Sequence, residues 1–138
     1  MTELARLSFS IEKPLLERLE KLLKLSKCAN RSEFIRDMIR QQLVGREWDT
    51  DQQTLGTVTL LYNHDLHKLS EKLTELQHHH HQNILVSTHV HLDKHLCAEV
   101  LLVKGRARQI RQLADKLRQQ KGVLYAALST SSTGKSLA

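Results

Sequence analysis

Two histidines two residues apart, with a cysteine six residues after the second, lie in HHHHQNILVSTHVHLDKHLC, residues 78–97. This stretch holds seven of the nine histidines of the chain and one of its two cysteines. Alternate residues of a strand point to one face, so His89 and His91 would project together. Cys97 follows a short turn and opens the neighbouring antiparallel strand, which returns it close to that face. Two imidazoles and a thiolate in one hairpin make a compact metal-ligand set. A fourth ligand is available in His78–His81, at the end of the preceding helix. Spacing leaves open whether that helix end reaches its own hairpin or a partner's. One helix end cannot aim four rings at one ion, so some of His79, His80 and His81 must be solvated or stand behind the ligands. A purification tag would be terminal, and this run is internal. Three nitrogens and one sulfur suit Zn(II), Cu(II) and Ni(II). A tetrahedron would select zinc and a plane nickel or copper, and the spacing does not give the angles. Cys28, in a turn between helices, reads as a small packed residue.

The elements that must hold these ligands follow from periodicity. Segment 57–63 is read as a strand, 64–81 as a helix with Leu66, Leu69, Leu73 and Leu76 on one side, and 83–92 and 97–105 as two strands joined at DKHL. A helix over 106–122 ends in glycine, and VLYAALST is a last strand. The order βαββαβ is that of a ferredoxin-like fold, a four-stranded antiparallel sheet with two helices on one face.

The first third reads strand, helix, helix. Leu7, Phe9 and Ile11 alternate with Arg6, Ser8 and Ser10, the period of a half-buried strand. Pro14 opens a helix with Leu15, Leu16, Leu19, Leu22 and Leu23 on one face. Asn30 and Glu33 resemble a capping box that starts a second helix, with Phe34, Ile35, Met38, Ile39 and Leu43 as its stripe and Gly45 as its C-cap. One strand and two helices are too small to bury these faces alone, and a lone strand leaves its backbone groups unpaired. Two copies with antiparallel strands and interlocked helices would solve both problems. The paired ribbon fits a DNA major groove, with Arg6, Ser8 and Ser10 facing outward. The expected organisation is α+β: 1–46 strand-helix-helix, 47–56 linker, 57–130 ferredoxin-like domain, 131–138 disordered tail.

Composition narrows the classes. The chain has 138 residues and a net charge of +6. Up to Trp48 there are ten Lys/Arg against seven Asp/Glu and beyond it eleven against eight, so each half carries +3. A polyanionic partner is favoured. No apolar run approaches the roughly 20 residues that span a bilayer, and the N-terminus lacks a signal-peptide pattern. Two cysteines make no disulfide framework. The expectation is a cytoplasmic protein with no membrane partner.

RLSFSIEKPLLERLEKLL, NRSEFIRDMIR and QHHHHQNILVSTHVHLDKHLC together resemble the nickel-responsive transcription regulator family (NikR), from about Arg6 to about Leu128. The resemblance implies a ribbon-helix-helix DNA-binding domain joined to an ACT-like, ferredoxin-like domain that assembles a homotetramer, a dimer of dimers. It implies square-planar Ni(II) on His89, His91 and Cys97 of one chain and His78 of another. It implies operator reading by Arg6, Ser8 and Ser10 and repression of nickel uptake genes. It also implies a potassium ion at Glu33 and Asp37, which lie four apart on one helix face; the plainer reading pairs them with Arg36 or Arg40. His95 departs from the family pattern and, with His79 and His81, is a candidate for secondary metal binding. Competing functions are metal storage or chaperoning, and regulation by another divalent metal. A metallohydrolase would need an open coordination position and a general base; there is no HExxH helix, so no enzyme is expected.

Overall fold

The computed structural model describes residues 3–138; Met1 and Thr2, the first residues of the expected N-terminal domain, lie outside them. The elements are α1 (Lys13–Ser26), α2 (Arg31–Asp49), β1 (Gln53–Asn63), α3 (Leu69–His79), β2 (Ile84–His91), β3 (Leu96–Arg106), α4 (Ala107–Arg118) and β4 (Val123–Thr130). They form two compact units, Met1–Leu43 with Ser136–Ala138, and Val44–Lys135.

In the first unit, Pro14 sits in the first turn of α1, as its fixed φ and missing N–H favour. Lys27 ends the helix in the left-handed conformation, φ 57°. Asn30 caps α2: its Oδ1 accepts the Glu33 N–H at 2.9 Å. The Glu33 carboxylate turns to Arg36 and Arg40. Asn30→Ala should cost about 1 kcal/mol of stability, read as a lower midpoint in urea unfolding followed by the helix signal.

The strand expected over Leu7–Ile11 is not formed within the chain. Residues 3–12 carry no strand or helix, because a strand needs a ladder partner. Leu7 is 79% and Phe9 59% exposed, and no residue of α1 is buried. The apolar stripes are present and only half covered: Leu16, Leu19, Leu23, Phe34 and Ile35 are half-buried, whereas Leu15, Leu22, Met38 and Ile39 are exposed.

The second unit is a four-stranded sheet in the order β2-β3-β1-β4, with every neighbouring pair antiparallel. Burial along β1 alternates strictly. Val58, Leu60 and Tyr62 face a core shared with Leu101 and Val103 of β3, Leu69 and Leu73 of α3, and Ile110, Leu113 and Leu117 of α4. Both helices therefore cover one face, and this is the ferredoxin-like order expected.

Three boundaries move. The expected linker 47–56 is mostly structured: α2 runs through Gly45 to Asp49 and β1 begins at Gln53. Trp48 causes this. It is buried, its Nε1 donates to the Ser131 carbonyl at 2.8 Å, and Arg111 stacks over its ring. Its polar neighbours disguised a last helical turn with one large apolar anchor. Second, α3 starts at Leu69 rather than residue 64. Asn63 Oδ1 accepts the Asp65 N–H and Lys68 adopts φ 64°, so a turn takes up residues 63–68. Third, the segment 131–138 holds no regular element, yet Ser131 N–H donates to Leu55 at 2.8 Å, continuing past the end of β4. Gly122, after α4, has φ 101°, and a Cβ there would meet Leu66 at 2.6 Å.

Candidate metal centre

The β2–β3 hairpin builds the site. Its turn is closed by Asp93, whose Oδ1 accepts the N–H groups of His95 (2.7 Å) and Leu96 (2.8 Å). These bonds, Leu96 first, hold the Asp93 carboxyl below the usual range. With that turn, His91 lies directly opposite Cys97 and His89 opposite Glu99. Opposed residues share a face, and Cys97 and Glu99 are on the helix-covered face.

Cys97 Sγ, fully buried, is 3.2 Å from His89 Nε2 and 3.4 Å from His91 Nδ1. The two rings stand 5.1 Å apart, edge to face. Burial pushes the Cys97 thiol up, with Asp65, Asp93 and Glu99 adding to the shift. The three expected hairpin residues are thus brought together. Two imidazole nitrogens facing a buried sulfur are a donor set that fits a borderline-soft divalent ion such as Ni(II).

His64 was missed from the sequence. Its ring is 5.1 Å from that of His91, and ligand atoms of His64, His91 and Cys97 lie within 4.8 Å of one another. Its Nε2 is 2.6 Å from the Lys94 carbonyl and its Nδ1 3.3 Å from Asp65, whereas His89 turns a nitrogen straight to the sulfur. The signal was topological: β1 pairs with β3 as far as Asn63↔Leu96, which delivers His64, the residue after β1, to the site.

His78 is elsewhere. It is exposed near the end of α3, lining an open surface with Ser70 and Thr74, and the donor cluster of His64, His91 and Cys97 found among the described residues leaves out both His78 and His89. His80 and His81 turn back on their helix, Nδ1 of each within 3.0 Å of the carbonyls of Leu76 and His78. His79 is exposed, and His95 pairs with Asp65, which holds its imidazole pKa up. His79, His81 and His95 are not drawn together with a third donor among the described residues.

Behind the ligands lies a polar group of side chains. Tyr62 is buried; burial first, then the Glu99 charge, pushes its phenol up to about 12. Its hydroxyl is 3.2 Å from His89 Nδ1 and 3.3 Å from Glu99 Oε2. Glu99 Oε1 accepts from Gln77 and Ser87, each at 2.8 Å.

In the first unit, Arg6, Ser8 and Ser10 are exposed. Glu33 and Asp37 share Arg40, at 3.6 and 3.1 Å, and Glu33 also pairs with Arg36.

Residues 55–131 match the family model described as the NikR C-terminal nickel-binding domain, and residues 5–44 that of the ribbon-helix-helix proteins, copG family. A relative from Geotalea uraniireducens is 49% identical over 138 residues, 99% of either chain. One from Pyrococcus horikoshii is 43% identical over 136 residues, 98% of this chain and 99% of its own. Both bear nickel-responsive-regulator names.

The chain belongs to the NikR family.

Its α+β architecture, a ribbon-helix-helix segment followed by a nickel-binding domain, is that of a regulator and not of an enzyme. An uncharacterized protein from Thermotoga maritima shares the fold of the NikR domain: TM-score 0.52, 21% identical, covering 57% of this chain and 98% of that one. The ACT domain from GTP pyrophosphokinase of Chlorobium tepidum overlays more loosely, with TM-score 0.47 and 17% identity over 56% of this chain and 99% of its own.

Proposed function

We propose that this protein is a nickel-responsive repressor of nickel uptake genes, whose binding to operator DNA is promoted by Ni(II). The observation that carries the reading is Cys97 Sγ set between His89 Nε2 and His91 Nδ1, in a chain whose first 44 residues include a ribbon-helix-helix match. His89, His91 and Cys97 would hold the ion, and His78 of another subunit would complete the set. Support for an external His78 is its exposure on α3, beside Ser70 and Thr74.

The assembly is a homotetramer, a dimer of dimers. Leu7 and Phe9, left bare, would be covered when two N-terminal segments pair. The sheet face opposite the helices is bare too: Val86 is 53%, Val90 51% and Tyr125 61% exposed. A second pair of chains would cover it. No helix among the described residues is long and apolar enough to cross a membrane, and a DNA target places the action in the cytoplasm.

Arg6, Ser8 and Ser10 would read base edges from the paired ribbon. A potassium ion at Glu33 and Asp37 would compete with Arg36 and Arg40 for the same carboxylates, so we assign them as surface ion pairs.

A metal that bridges subunits orders both. It need not touch DNA; it has only to favour the arrangement in which two DNA-binding dimers grip one duplex together. Reciprocity then requires DNA to tighten nickel. The test is a pair of Ni(II) titrations against a competing chelator. One includes a duplex selected from random sequence by the nickel-loaded protein, the other none. Nickel affinity should rise with DNA by at least about 5-fold, the lower end of typical coupling. Equal affinities would leave a metal-binding protein with an independent DNA-binding domain.

A further inference from the structure

Glu99 is a nearly buried carboxylate in the sheet, accepting hydrogen bonds from residues on three elements. Ligation does not require it, since its oxygens face Tyr62, Gln77 and Ser87. We propose that Glu99 is a positioning residue for the metal centre: through Tyr62 it sets the tautomer of His89, so that the His89 Nε2 lone pair faces Cys97. The inference rests on the metal-centre reading above.

A carboxylate only accepts, and a phenol has one proton to donate. Glu99 Oε2, 3.3 Å from the Tyr62 oxygen, takes that proton's hydrogen bond. The Tyr62 oxygen is then an acceptor toward its other neighbours. His89 Nδ1, 3.2 Å away, must be the N–H nitrogen. A neutral imidazole has one N–H, so Nε2 carries a lone pair. That nitrogen lies 3.2 Å from Cys97 Sγ. In the metal-free chain the thiol proton can point at it, and an ion that displaces the proton finds a nitrogen ready to ligate. Partners of this kind commonly fix the tautomer of ligating histidines. Here a tyrosine hydroxyl stands between the carboxylate and the ring.

The chain also reaches α3. Gln77 donates to the same carboxylate at 2.8 Å and is the residue before His78. Glu99 thus ties the helix end that presents His78 to the strand pair that presents His89.

Glu99→Gln tests the direction of the chain, because it keeps shape and reverses one partner. Oε1 faces two donors, Gln77 and Ser87, and Oε2 faces one. The amide oxygen should stay with the two donors and the NH2 should turn to Tyr62. Tyr62 would then accept from residue 99 and donate to His89 Nδ1. The ring must carry its proton on Nε2 instead, against Cys97.

The experiment is 15N-labelled imidazole NMR on the full-length, metal-free protein at a pH where the ring is neutral, with Ni(II) titrations alongside. Wild type should show His89 as the Nδ1–H tautomer and Glu99→Gln as the Nε2–H tautomer. Nickel binding should weaken roughly 10–100-fold in Glu99→Gln. Tyr62→Phe removes the link, so His89 should lose its Nδ1–H bias. An Nε2–H tautomer in wild type, or an unchanged Nδ1–H bias in Tyr62→Phe or in folded Glu99→Gln, overturns the proposal. If Glu99→Gln fails to fold by circular dichroism, wild type and Tyr62→Phe decide it. The tautomer is read without metal, so a failure here leaves a Cys97-dependent nickel band standing. Loss of that dependence would sink the site reading and leave the tautomer result intact.

Discussion

Cys97→Ala is expected to abolish the thiolate-to-metal absorption band of the nickel-loaded protein and to weaken nickel binding by more than about 100-fold. Loss of a group that merely supports a ligand costs about 10–100-fold in metal affinity, and loss of a ligand should exceed it. Cys97 is the only sulfur in the cluster and lies against both His89 and His91. The substitution is small, so the fold should survive, and circular dichroism of the variant checks this. Competition against a chelator gives the affinity and the absorption spectrum the band. An undiminished band would mean that the ion sits elsewhere, and the assignment of His89, His91 and Cys97 would fall with it. Residual weak binding without the band is compatible with the histidines that remain.

Arg6→Ala should weaken sequence-specific DNA binding by roughly 1–3 kcal/mol, the range for a lost bidentate base contact. That is roughly 5–150-fold in affinity. Nickel affinity measured without DNA should not change, because Arg6 belongs to the first compact unit and the ligands to the second. The side chain is exposed, so stability should move by less than about 0.5 kcal/mol. Binding should be measured on the selected duplex and on base-substituted versions of it. A base reader loses discrimination at one position, whereas a phosphate contact weakens all sequences alike. Unchanged affinity would remove Arg6 from the reading surface, and with it the outward-facing assignment of Ser8 and Ser10.

What the sequence determined by itself was local or periodic. Spacing of two on a strand makes His89 and His91 neighbours whatever surrounds them. A short turn brings Cys97 back, and Asp93 supplies the chemistry that closes it. The leucine stripe of α3 specifies which side of that helix is buried, and the order of elements leaves few topologies. Asn30 announced the start of α2 because its cap is a bond to a backbone three residues away. What tertiary structure decided depends on contacts across the chain. Trp48 turned a polar segment into a helix end because its burial partners, Ser131 and Arg111, are distant in sequence. His64 joined the site because β1 ends beside the β2–β3 hairpin, which its spacing from Cys97 does not show. Tyr62 and Glu99 look like ordinary strand residues until the sheet order β2-β3-β1 sets them behind His89. Local rules act through bonds along one segment, but ligand environments are assembled from several, and only the packed sheet brings those segments within hydrogen-bonding range.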